Sequence, residues 1–270
     1  MPPTVLAIVV GVALVLARAG AQAGVPDSVF VEDLTWTELR DVIQGGWTTI
    51  VLPTGGTEQN GPHMALGKHN VRARVLSERI ARALGKTLVA PVFAYVPQGG
   101  LAPPTGHMRF AGTITLGDQA FQSVLESAAR SMRRHCFRDI VLLGDSGPNQ
   151  PGQRAVAVRL NRQWAGTQAR VHAIDDYYRA STEGFRAILR ARGYGDAEIG
   201  VHAGLADTSL MLAIDPRLVR VDRLPREPGA PTPDGVEGDP RRSSAELGRL
   251  GVEVIVSRTV QAIQRAIAHR

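Results

Sequence analysis

This 270-residue sequence predicts an α/β fold: a single three-layer α/β/α domain around a mostly parallel central sheet. Three observations carry that expectation. Short apolar, β-branched runs recur at residues 48–52, 87–95, 139–144 and 169–174. Amphipathic helix patterns separate them, and glycine-rich polar segments follow their carboxyl ends, where open α/β sheets place ligands. A hydrophobic content of 44% is enough for one full core, and no linker divides the chain.

Taken in order, residues 4–17 form an uncharged apolar run followed by Ala21-Gln22-Ala23. The run is short for a membrane span and its small residues suit a leader cleavage site. Residues 1–23 are therefore read as a secretory signal peptide and 24–270 as the domain. That implies export to the periplasm or medium, with no stable membrane integration after cleavage; an uncleaved anchor and a misassigned start codon are the competing readings. Residues 33–43 predict a helix, with Thr35 as N-cap and Glu38 completing a capping box. The run 48–52 is a buried strand that Pro53 should stop, and Gly55-Gly56 turn the chain off its end.

A helix is expected from Asn70 through Val71, Val75, Leu76 and Ile80. A strand over 87–95 and a helix over 118–134 (Phe121, Val124, Leu125, Ala128, Met132) come next. Residues 139–144 are a buried strand that delivers Asp145-Ser-Gly-Pro-Asn-Gln150 at its carboxyl end. Helices over 154–164 and 181–192 flank the strand at 169–174. A proline-rich loop covers 223–233, and a long amphipathic helix covers 250–267.

Charge and cysteine count exclude whole classes. The formal charge is +6, from 31 Lys+Arg against 25 Asp+Glu, but the excess is arginine scattered at helical spacing. Arg72, Arg74, Arg79 and Arg82 read as one solvated face. Nucleic-acid binding needs a clustered basic stripe or a motif, and neither is present. A single cysteine, Cys136, excludes an internal disulfide framework and a multi-thiolate metal site.

The segment after the first strand, Pro53-Thr-Gly-Gly-Thr-Glu-Gln-Asn-Gly-Pro-His-Met-Ala-Leu-Gly-Lys-His69, holds more polar groups than a connection needs. Glu58, Asn60, His63 and His69 lie here. Asp145 and Asn149 follow the third strand, His107 follows a glycine-rich loop, and His202 with Asp207 lies in Gly200-Val-His-Ala-Gly-Leu-Ala-Asp-Thr-Ser209. Imidazole and carboxylate donors without thiolate suit Zn²⁺, Mn²⁺ or Fe²⁺.

The same segment resembles the signature of the creatininase family of metal-dependent amidohydrolases, P-x-G-(S/T)-x-E-Q-H-G-P-H-L-P-L-G-T-D. Gly106-His-Met-Arg-Phe-Ala-Gly-Thr-Ile114, the 144–149 turn, the 202–209 segment and Gly235-Val-Glu-Gly-Asp-Pro240 are similar to the family's later motifs. Together they extend the likeness from about Val29 to the end. The family's signature His is Asn60 here, its Asp is His69, and its second-loop His falls on Asp145. One imidazole and one carboxylate have changed places, so ligand charge is conserved.

The resemblance implies a divalent transition metal. Because His69 cannot bridge two ions as the family's carboxylate would, the expectation here is one per chain, held by Glu58, His69 and Asp145 with Asp207 available as a fourth ligand. The resemblance makes His202 the proton carrier, and the reading of the remaining residues gives Asn60, His63, His107 and Asn149 substrate or outer-shell contacts, with a structural hydrogen bond as the alternative for His63 and His107. It implies hydrolysis of a C–N bond in a small cyclic or linear amide by a homo-oligomer. The Trp-Asp pair of creatinine-cleaving members is replaced by Glu198-Ile199, which argues against creatinine itself. Two further readings stand beside this one. The first is hydrolysis of a lactone or sugar-derived substrate, and the second is a non-catalytic exported protein that binds a small ligand.

Overall fold

The computed structural model describes residues 27–224 and 235–269. The signal-peptide reading (1–23) and residues 225–233 of the proline-rich loop lie outside the described residues. The elements in chain order are α1 (Trp36–Gln44), β1 (Thr49–Thr54), α2 (Lys68–Leu84), β2 (Thr87–Val89), α3 (Asp118–Arg134), β3 (Asp139–Gly144), α4 (Asn149–Gln163) and β4 (Arg170–Ala173). They continue with α5 (Asp175–Arg179), α6 (Phe185–Arg190), α7 (Asp196–Ile199), α8 (Leu205–Ile214) and α9 (Ala245–Ala268). Among the described residues no helix is long and apolar enough to cross a membrane.

The four strands form one parallel sheet in the order β2-β1-β3-β4, with Val51 opposite Val141 and Val89. Side chains alternate across a strand, so one short apolar run supplies both faces. Ile50, Leu52, Ile140 and Leu142 pack with Phe121, Leu125, Val156, Leu160 and Trp164 on the α3/α4 side. Val51, Val141 and Leu143 pack with Leu76, Ile80, Phe185, Leu210 and Ile255 on the α2/α8/α9 side. Two cores about one sheet make the three-layer α/β/α architecture that the alternation predicts. Ile140 is fully buried, and its truncation to alanine would cost about 2–5 kcal/mol.

Local signals account for most boundaries. The Thr35 hydroxyl accepts from the Glu38 N–H and the Glu38 carboxylate accepts from the Thr35 N–H, the expected capping box. Ser244 caps α9, which packs against α8 so closely that a Cβ at Gly248 would stand 1.9 Å from the Ser209 carbonyl.

Three expectations are corrected. Pro53 does not end β1. The 51 and 53 carbonyls accept from Ala90 and Phe93 on the β2 side, so the nitrogen lacking a hydrogen faces the place where β2 has already ended. The run 87–95 is a strand only as far as Val89, because Ala90-Pro91 turns out of the ladder. Helices α2 and α4 begin earlier than expected, so His69 and Asn149 sit in first helical turns rather than in loops.

Candidate active site

The carboxyl ends of β1 and β3 open into a cavity of about 520 Å³, whose lining includes Glu58, His69, His107, Asp145, His202 and Asp207. The loop bearing Glu58 is fastened to α2 through Asn70. Its amide oxygen accepts from the Gly56 N–H at 2.9 Å, and the Gly55 Cα lies so close that a Cβ there would meet that oxygen at 2.2 Å. This staple fixes the position of Glu58 relative to the first turn of α2.

The start of α2 carries three cations: Lys68, His69 and Arg72. His69 Nδ1 lies 2.5 Å from Asp145 Oδ2, and Nε2 lies 2.7 Å from Glu58 Oε1. Ionised carboxylate oxygens only accept, so both ring nitrogens donate and the ring is an imidazolium. Arg72 donates from Nε to Asp145 Oδ2 (2.8 Å) and from Nη1 to Asp207 Oδ1 (2.8 Å), and Lys68 Nζ donates to Asp207 Oδ2 (2.7 Å). The Tyr177 hydroxyl donates to Asp145 Oδ1 at 2.5 Å, and the Ala203 N–H donates to Asp207 Oδ2. Three carboxylates, Glu58, Asp145 and Asp207, thus face three cations inside the protein.

The protonation states follow. Burial pushes the Glu58 carboxyl up, but His69, joined by Lys68 and His107, holds the group down at about 2. Asp145 behaves likewise, with burial opposed by Arg72 and then His69, and it too lies below the usual range. Burial lowers His69, but Glu58 and Asp145 raise it above its ordinary value. Asp207, opposed by burial, is held far down by Lys68 and Arg72.

On the other side of Glu58 the chemistry changes. His107 and His202 lie ring to ring, with centroids 4.5 Å apart. His202 Nδ1 is 3.7 Å from Glu58 Oε1, and His107 Nε2 is 3.7 Å from Glu58 Oε2. Burial, then Lys68, pulls His202 down to about 3, so the ring is neutral. Its Nε2 is 2.9 Å from the Gln59 carbonyl, which only accepts. The proton therefore sits on Nε2 and the Nδ1 lone pair faces Glu58.

The Gln59 side chain sets the other histidine. Its Oε1 accepts from the Gly61 N–H (2.9 Å) and its Nε2 donates to the Gly235 carbonyl (3.0 Å), which fixes the amide's orientation. The remaining N–H meets His107 Nδ1 at 3.1 Å, so neutral His107 carries its proton on Nε2.

Among the described residues, the group able to hold a metal is Glu58, His107 and His202, whose ligand atoms lie within 4.8 Å of one another. The donors suit a divalent ion. Glu58 Oε2 is buried with no hydrogen-bond partner, and His202 presents a lone pair oriented by a backbone carbonyl, as metal-binding histidines usually do. His107 completes the set once its proton moves to Nδ1, which the Gln59 amide opposes.

The other expected site residues are placed as follows. His69, Asp145 and Asp207 line the cavity but are bonded to one another or to Lys68 and Arg72. Asn60 is fully buried and donates to the Glu58 and Ala65 carbonyls. His63 is buried against the Thr208 hydroxyl, and burial lowers it to about 4. Asn149 braces the end of β1 through Thr54 Oγ1 and the Gly55 carbonyl.

Sequence reasoning missed Lys68, Gln59 and Arg72, and the solvated-face reading of Arg72 is corrected: the residue is 2% exposed. A signal was present. Residues 69, 72, 76 and 80 follow helical spacing, which puts Arg72 on the buried stripe with Leu76 and Ile80.

Comparisons with known proteins agree with this architecture. The family profile described as "Creatininase: Creatinine amidohydrolase" matches residues 32–263. Creatinine amidohydrolase of Pseudomonas putida is 28% identical over 256 residues, covering 88% of this chain and 96% of the relative. Mycofactocin precursor peptide peptidase of Mycobacterium ulcerans (strain Agy99) is 30% identical over 256 residues, covering 85% and 90%. A solved structure titled "Creatininase Mn" superposes with a TM-score of 0.73 at 28% identity, covering 89% of this chain and 99% of that one.

Proposed function

The chain belongs to the creatininase family of metal-dependent amidohydrolases, and from that premise we propose that it hydrolyses the C–N bond of a cyclic or linear amide other than creatinine. The observation that carries this reading is the corner formed by Glu58, His107 and His202. There an ionised carboxylate with an unpartnered oxygen and a neutral imidazole lone pair face the same space in the floor of the cavity.

Glu58, His202 and His107 would hold one divalent metal; when bound, such an ion polarises a carbonyl and lowers the pKa of water toward about 7. The metal-ligand and proton-carrier roles compete for the same His202 lone pair, and we assign His202 to the ligand set. The Gln59 carbonyl keeps the proton on His202 Nε2. Tyr178 lines the cavity, and burial together with Asp207 raises its hydroxyl, which keeps its proton as a donor for a substrate oxygen. Creatinine is disfavoured because buried Ile199 lines the cavity, while Glu198 beside it is paired with Arg242.

A second reading, a ligand-binding protein without turnover, is favoured by the three internal cations that satisfy the neighbouring carboxylates. The test is a hydrolysis screen. The protein, loaded with Zn²⁺, Mn²⁺ or Fe²⁺, is assayed against linear amides, cyclic amides and lactones beside Glu58→Gln and His202→Ala. Amide cleavage lost in both variants supports the proposal. Cleavage of lactones alone would move the bond from C–N to C–O, and ligand binding without any cleavage would favour the second reading.

A further inference from the structure

We infer that Lys68, His69 and Arg72 are built-in cations standing in for a metal at Asp145 and Asp207, so that metal binding is confined to the Glu58–His107–His202 corner. The inference rests on the reading that this cavity is the family's hydrolytic site. It adds which part of that site the chain has closed to metal.

The geometry already engages every oxygen of those aspartates with the chain's own donors. Asp145 is 1% exposed, with Oδ1 taking the Tyr177 hydroxyl (2.5 Å) and Oδ2 taking His69 Nδ1 (2.5 Å) and Arg72 Nε (2.8 Å). Asp207 accepts on both oxygens, Oδ1 from Arg72 and Oδ2 from Lys68 and the Ala203 N–H. The signature residues make the same point. Where the family resemblance calls for an Asp that can bridge two ions, this chain has an imidazole that itself bridges two carboxylates, Glu58 and Asp145.

Lys68 and Arg72 are as buried as the groups they pair with and have no solvent to withdraw into. An incoming dication at either aspartate would have to displace a cation that already holds it. Charge-assisted hydrogen bonds hold the aspartates without any ion.

The experiment is metal analysis of the full chain after chelation and dialysis against excess Zn²⁺ or Mn²⁺. It is run on wild type and on Asp207→Asn, with folding checked by circular dichroism. The expected result is no more than about one ion per chain, unchanged in Asp207→Asn and lost in Glu58→Gln. Two ions per chain, or loss of the ion in folded Asp207→Asn, would overturn the inference. Should Asp207→Asn fail to fold, Arg72→Ala replaces it. A built-in cation predicts that millimolar Zn²⁺ raises the melting temperature of Arg72→Ala by more than it raises that of wild type, whose gain comes from the Glu58 corner alone. An equal or smaller gain in Arg72→Ala would refute it. Metal content is independent of turnover, so failure of the amide screen leaves this inference standing, and the reverse holds.

Discussion

The two sides of Glu58 make an instructive pair. Toward α2, its Oε1 meets His69 in a network where both aspartates are satisfied on every oxygen. Toward the histidine pair, Oε2 has no partner: His107 Nε2 stands 3.7 Å from it, and His202 Nδ1 stands 3.7 Å from Oε1. A buried polar atom left unsatisfied carries a desolvation cost, and a site that tolerates one has room for a ligand. The satisfied side is scaffold despite its density of charge, and the unsatisfied side is where chemistry can occur. Charged residues around a cavity therefore mislead unless their bonds are followed atom by atom.

Substitutions can break or sharpen this contrast. The largest effect is expected from Arg72→Met, which strands two buried carboxylates and should cost about 3–5 kcal/mol in urea denaturation. A loss below about 1 kcal/mol would mean that the α2 side is not scaffold.

Next is the pH dependence of stability. His69 is raised above its ordinary 6.5, so its contribution is complete below that pH and disappears as pH rises through the folded value. Glu58 is depressed from 4.5 to about 2, so its contribution is complete above 4.5 and disappears as pH falls toward 2. His69→Gln should erase the alkaline decline in thermal melts, and persistence of that decline would place the titrating group elsewhere.

A smaller effect is expected at the histidine pair. Gln59→Glu replaces the donor at His107 Nδ1 with an acceptor, favouring the tautomer whose Nε2 lone pair faces Glu58. Zn²⁺ affinity by calorimetry should rise about tenfold, the low end of outer-shell effects. Weaker binding would mean that Gln59 serves the loop and not the ring. The smallest effect is a control. Arg82→Ala removes a 2.8 Å pair with Glu78 on the exposed face of the same helix and should cost only about 0.3–0.5 kcal/mol.

Much of the scaffold was legible in the sequence because local rules decide it. The Thr35–Glu38 box, the β3 run and α3 stand where propensity and periodicity put them. Pro53 was misread because its tolerance depends on where a neighbouring strand stops, which is a tertiary fact. In the site, Glu58, His69, Asp145, His107, His202 and Asp207 all reach one cavity. How they bond could not be read from residue types, because a swap that conserves charge is silent about who donates to whom. Arg72 looked like its exposed neighbours by composition, and only its phase on the helix separated it from Arg79 and Arg82.

Lys68, His69 and Arg72 belong to a single stretch of α2, yet they grip the loop after β1, the residue after β3 and the first turn of α8. Three segments far apart in the chain are thereby clasped at one point. None can swing out without dragging on the others, so this wall of the cavity opens as one cooperative unit. The expected signature is amide protection from hydrogen exchange to a common depth across the three segments rather than loop by loop.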